Sequence, residues 1–185
     1  GGKIYTVDEI YEKIMKYKNY FIASNGGVTA SGGEPLLQVD FLIALFKKLK
    51  SSGISTAIDT SGMITITEKL KELINLTDLF LVDIKCINDD ICKNLVGHSN
   101  KQELEFIKYL DSINKEIWIR QVVVPTITDK EEDLYKLRDF INSINSITKV
   151  DLLPYHDLGK YKWLELNEKY PLENIRTATK KILEG

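Results

Sequence analysis

Five short apolar stretches recur along the chain, each followed by a segment with helical spacing, and this alternation limits the fold more than any other feature. The stretches lie at 27–31, 54–59, 79–84, 117–124 and 150–153. Thr6-Val7-Asp8-Glu9 reads as a capping box that opens a helix running to Tyr17. Phe41, Leu42, Leu45, Phe46 and Leu49 mark a second helix over 39–50, which Ser52-Gly53 ends. Helices are also predicted over 67–74, 89–95, 102–113, 131–144 and 174–183. Strand–helix alternation predicts parallel strands joined by right-handed crossovers, hence an α/β fold. Leu79-Phe80-Leu81-Val82 and Val122-Val123-Val124 are continuously apolar, the pattern of strands covered on both faces. No internal repeat or Pro/Gly/Ser linker breaks the 185 residues, so a single domain is expected.

Charge and cysteine content narrow the class. The 25 Lys and Arg against 27 Asp and Glu leave −2, which argues against a nucleic-acid surface. No apolar run approaches the ~20 residues of a membrane span. Gly1-Gly2-Lys3-Ile4-Tyr5 lacks the basic and apolar regions of a secretory signal. The two cysteines make no disulfide scaffold, and a reducing cytosol is the expected compartment.

In barrels and open parallel sheets, ligands bind at the carboxyl ends of the strands. Here those ends read Ser31-Gly32-Gly33-Glu34, Asp59-Thr60-Ser61-Gly62, Asp83-Ile84-Lys85, Arg120-Gln121 with Pro125-Thr126, and Pro154-Tyr155-His156. Each has a plain structural reading. Gly32-Gly33 is a turn signal. Asp59-Thr60-Ser61-Gly62 serves as a turn and cap. Asp83 and Lys85 share a strand face and can form a structural ion pair. His156 and His98 suit polar surface positions. Cys86 and Cys92 have no zinc or iron–sulfur spacing and read as buried or idle thiols. Five polar ends on one edge together predict a concave polar site.

Longer segments carry a family resemblance. They are Gly26-Gly27-Val28-Thr29-Ala30-Ser31-Gly32-Gly33-Glu34-Pro35-Leu36-Leu37-Gln38, Ile58-Asp59-Thr60-Ser61-Gly62, Val82-Asp83-Ile84-Lys85, Asn94-Leu95-Val96-Gly97-His98-Ser99-Asn100, Trp118-Ile119-Arg120-Gln121-Val122-Val123-Val124-Pro125 and the run from Leu152 to Trp163. In this order they resemble the pyruvate formate-lyase activating enzymes of the radical S-adenosylmethionine (SAM) superfamily. The resemblance implies a partial (β/α)6 TIM-like barrel, of which five of the six parallel strands are expected here. It implies a 4Fe-4S cluster that reduces SAM to methionine and a 5′-deoxyadenosyl radical. That radical takes a hydrogen atom from a glycine of pyruvate formate-lyase, with flavodoxin or ferredoxin as electron donor.

The implied SAM-binding residues are Gly32, Gly33 and Glu34 for the methionyl ammonium, Arg120 for the carboxylate, and Asp83, Lys85 and His156 around ribose and carboxylate. A monovalent cation is implied at Asp59, Thr60 and Asp83 with the Leu81 carbonyl, and the 155–159 loop is placed near the glycine-bearing peptide. The family's Cys-x3-Cys-x2-Cys motif has no counterpart in this sequence. The chain is therefore expected to lack the first strand and the cluster ligands, to be inactive alone, and to dimerise or aggregate through an exposed strand edge. Three alternatives remain at this level. One is a cluster-less module binding SAM or the lyase. Another is an activator of a different glycyl-radical enzyme. The third is an unrelated α/β enzyme using Asp59, Asp83 and Lys85 in a metal or Schiff-base site.

Overall fold

The computed structural model describes residues 2–155. Among them a single sheet holds β1 (Gly27–Ala30), β2 (Ser55–Thr60), β3 (Leu79–Asp83), β4 (Glu116–Val123) and β5 (Ile147–Pro154). The strands stand in the order β1-β2-β3-β4-β5, and every pairing is parallel. The helices are α1 (Val7–Met15), α2 (Lys18–Ser24), α3 (Val39–Ser51), α4 (Glu68–Leu76), α5 (Asp89–Val96), α6 (Lys101–Ser112) and α7 (Glu131–Asn142). A 3-10 turn spans Pro35–Gln38. The helix expected over 174–183 lies outside the described residues.

Local chemistry accounts for most boundaries. Thr6 and Glu9 close both bonds of the capping box on α1. Thr67 caps α4, and its Oγ1 accepts from the Leu70 amide. Asn88 caps α5, which ends on Gly97 at φ +81°. Two elements depart from expectation. The helix expected to reach Tyr17 stops at Met15, and α2 follows with no side-chain cap and no buried residue. β5 starts at Ile147, three residues before the expected 150.

The core lies between the sheet and its helices. Ile58, Phe80, Val82, Ile117 and Ile119 are fully buried on one sheet face, against Phe46 and Leu49 of α3, Leu73 of α4 and Phe106 and Ile107 of α6. The expectation of equal cover on both faces is corrected. Burial alternates along β3, with Leu79, Leu81 and Asp83 only half-buried. The half-buried face carries the charged groups, and a dry cover over them would cost several kcal/mol per ion. Close approach holds β1 to β2: a Cβ on Gly27 would stand 2.3 Å from the Ser55 carbonyl oxygen.

Candidate functional site

Register places the polar strand ends on one face. Asp59 pairs with Leu81, Asp83 with Arg120, and Arg120 with Asp151. Residues paired in this way share a face, so Asp59, Asp83 and Arg120 point together away from the core. Arg120 bridges both aspartates. Its Nε donates to Asp83 Oδ1 at 2.9 Å, and its terminal Nη2 pairs with Asp83 Oδ1 at 2.8 Å and with Asp59 Oδ1. Lys85 extends the network, its Nζ lying 2.9 Å from Asp83 Oδ2. Burial works against the Arg120 charge, but Asp83 and then Asp59 outweigh it and raise its pKa above the ordinary value.

The Glu34 side chain is held within the protein, which leaves its backbone as the part expected at a ligand. Its carboxylate accepts from the Leu36 amide at 3.1 Å, Thr60 Oγ1 at 2.7 Å, the Ser61 amide at 3.0 Å and Ser61 Oγ at 2.8 Å. The side chain therefore ties the end of β1 to the end of β2. Thr60 Oγ1, engaged there and by the Gly62 amide at 3.0 Å, is turned away from the Asp59–Arg120 pair. Gly32 and Gly33 take φ +87° and +58°, and nothing stands within 4 Å of a Cβ built on either. Both turns demand glycine, and the open space lets another molecule approach the backbone. His156 lies outside the described residues, as does most of the 155–159 loop. His98 is exposed in a loop after α5.

An apolar cleft of about 750 Å³ opens elsewhere, between α1, β1 and α3, with Ile10, Ile14, Phe41 and Phe46 in its walls. Only Ser31 and Gly32 on its rim belong to the polar strand ends, so the charged network stands outside it.

The family model for the radical SAM superfamily matches residues 1–138. A pyruvate formate-lyase 1-activating enzyme of Escherichia coli strain K12 is 42% identical over 185 residues, covering all of this chain and 75% of that protein. The chain belongs to the radical SAM superfamily, among the pyruvate formate-lyase-activating enzymes. A Staphylococcus epidermidis relative of the same name is 49% identical over 175 residues, 92% of this chain and 70% of its own length. A solved domain of a Bacteroides vulgatus pyruvate-formate lyase-activating enzyme shares the fold at TM-score 0.70 and 24% identity, over 86% of this chain and 89% of that one. Streptococcus suis SuiB bound to S-adenosylmethionine shares the fold at TM-score 0.62 and 18% identity, over 88% of this chain and 38% of that one.

A radical SAM protein uses SAM with an iron–sulfur cluster, and the two fit these residues unequally. The open Gly32-Gly33 backbone beside a half-buried Asp–Arg–Asp–Lys row offers acceptors for an ammonium and donors for a carboxylate. The cluster does not fit. Cys86 and Cys92 are buried, hydrogen-bonded to each other, and the only cysteines in the sequence. Burial, then the Cys92 thiol, pushes the Cys86 pKa up, and burial raises that of Cys92. No group of three or more His, Cys, Asp or Glu side chains among the described residues can hold a metal ion. Both thiols are therefore expected to resist alkylation at pH 7.5 and to react fully in urea. Rapid native labelling would show a thiolate that this packing forbids.

Two residues of this region escaped the sequence reading. In sequence Ser61 is one residue of a turn, and its role beside Glu34 arises only on folding. Glu103 is buried behind β3, and its position shares a helix face with Phe106, Ile107 and Leu110, a pattern visible in the sequence.

Proposed function

We propose that this chain cradles SAM in an activating enzyme whose protein substrate is pyruvate formate-lyase. The observation that carries the reading is the charged row at the ends of β2, β3 and β4, beside an open Gly-Gly turn, in a chain 42% identical to a named activating enzyme. SAM, cleaved by one electron, supplies a 5′-deoxyadenosyl radical able to take hydrogen from a glycine. The residues described here bind and orient it. The Gly32-Gly33-Glu34 backbone accepts from the methionyl ammonium, Arg120 takes the carboxylate, and Asp83, Lys85 and His156 surround the ribose.

Asp59 and Asp83 by their carboxylates, and Thr60 by its backbone rather than its engaged hydroxyl, are the proposed contacts of a monovalent cation. Arg120 now bridges the same two aspartates. Its transfer to the SAM carboxylate frees their oxygens for that ion, so one side-chain movement serves both ligands. Flavodoxin or ferredoxin is the proposed electron donor, the 155–159 loop the contact with the lyase peptide, and the cytoplasm the compartment. No helix among the described residues is long and apolar enough to cross a membrane.

A second reading of these 185 residues taken by themselves is a SAM- or lyase-binding module without redox chemistry of its own. Equilibrium dialysis with radiolabelled SAM tests the shared part. Saturable binding is expected, weakened at least about tenfold in Arg120→Ala and Asp83→Ala, the loss of one charge-assisted hydrogen bond. No binding, or native-level binding by both variants, would remove the SAM reading. Glycyl-radical EPR after anaerobic iron–sulfide reconstitution, with pyruvate formate-lyase, SAM and a reductant, is expected to show no signal from these 185 residues. A signal would overturn the ligand inventory.

A further inference from the structure

Glu103, in the first turn of α6, is 0% exposed, and neither carboxylate oxygen has a hydrogen-bond partner. Such a group is costly to bury, and neighbouring Asn100 shows the ordinary solution, with its amide donating to the Cys86 and Ile87 carbonyls. The surroundings of Glu103 are specific. On the β2 side, a Cβ built on Gly62 would meet Phe106 at 3.1 Å, Val82 at 3.4 Å and the Glu103 Cα at 3.7 Å. Gly62, at φ +70°, is thus wedged against α6. On the β3 side lies the chain from Asp83 to Cys86. The charged and titratable groups facing Glu103 are Lys85 and Asp83 of that strand end, Cys86 just after it, and Cys92 of α5. Burial raises the Glu103 pKa to about 8; the Lys85 ammonium and amide pull the other way without closing a hydrogen bond. A neutral acid therefore sits directly behind two strand ends that carry the ligand-facing groups.

We propose that Glu103 is a positioning residue of the SAM site, setting from behind the sheet the backbone of the Lys85 strand end and the Gly62 turn. The unpartnered carboxyl lies within reach of the Lys85 amide, so its state fixes where Lys85 and Asp83 stand on the opposite face. Ionised, it draws the Lys85 amide toward itself, and the backbone shift carries the Lys85 side chain away from Asp83. Kept neutral, it leaves the Lys85–Asp83 pair at 2.9 Å intact. This inference rests on the SAM reading for its functional consequence, not for its structural content.

The experiment separates the two. Amide NMR of the 185-residue chain follows Lys85 across pH 6 to 9.5, with Glu103→Gln as comparison. The Lys85 amide is expected to shift with a midpoint near pH 8 in the native chain and to stay flat in Glu103→Gln. A flat native profile, or the same titration in both proteins, would overturn the inference whether or not SAM binds. SAM dialysis over the same range is expected to show a loss of about tenfold per pH unit above the midpoint in the native chain alone. A limb common to both proteins belongs to the ligand, and the absence of a native-only limb would overturn the functional consequence. Glu103→Leu, which removes the hydrogen-bonding group, is expected to bind at least tenfold more weakly at every pH. Native-level binding by that variant would show that the carboxyl positions nothing. A native chain that binds no SAM at all sinks the SAM reading and leaves the Lys85 amide to decide this one.

Discussion

Alanine in place of Glu34 is expected to lower stability by about 3 kcal/mol and to abolish SAM binding. The carboxylate accepts four hydrogen bonds from Leu36, Thr60 and Ser61. Each charge-assisted bond contributes on the order of 1.5–3 kcal/mol, but bonds sharing one carboxylate do not add. Removal leaves the Ser61 amide without its acceptor and releases the end of β1, which among the described residues pairs with β2 alone. Gln keeps one acceptor oxygen but points an amide donor at Thr60 or Ser61, so Glu34→Gln is expected to lose about half as much. Urea unfolding of the three proteins checks the order. An alanine variant within about 1 kcal/mol of the native chain would show that Glu34 is not the brace between the two strand ends.

Stability is expected to fall as pH rises from about 4.5 to 8, and Glu103→Gln is expected to remove much of that fall. The sign follows from proton binding. Glu103 ionises near its ordinary value of 4.5 in the unfolded chain and near 8 in the folded one. Between those values the folded state holds the extra proton, so each pH unit costs about 1.4 kcal/mol. Below 4.5 both states are protonated and the cost vanishes; above 8 both are ionised and it stops growing. Urea midpoints at a series of pH values are therefore expected to separate progressively, the Gln variant becoming more stable by a few kcal/mol at pH 8. Curves that stay parallel from pH 5 to 8 would mean that Glu103 ionises normally in the fold.

What could be read from sequence follows the range of the forces involved. The strands were legible because apolar β-branched runs and flanking caps are local signals, and 79–84 differs from the observed Leu79–Asp83 by one residue. α2 was not legible, since it has no side-chain cap and buries no residue, whereas α1, equally without a fully buried residue, announces itself by its capping box. The polar strand ends were legible as a set, because parallel topology forces them to one edge. Their pairing was not. Arg120 and Asp59 meet across 61 residues of chain, and register decides which carboxylate the guanidinium takes. Glu34 marks the same limit. Its neighbours in sequence point to a ligand contact through the backbone, and only its neighbours in space, Thr60 and Ser61, show what the carboxylate does. Glu103 stands at an apolar helix position, in step with Phe106, Ile107 and Leu110, and that spacing is the one local sign of its burial.

The strand order has a bearing on how the chain reaches this state. Each strand hydrogen-bonds to the one before it and the one after it in the sequence, and no pairing skips a neighbour. Every closure is then a loop through one strand–helix unit or, between β3 and β4, through two helices. Such a sheet grows by accretion, one unit at a time, and no finished piece waits for a segment from the far end. Among the described strands β2, β3 and β4 are paired on both sides, so their amide protons are expected to exchange with solvent most slowly. The charged row belongs to those three strands, while the Gly32-Gly33 turn follows β1, which among the described residues is paired on one side.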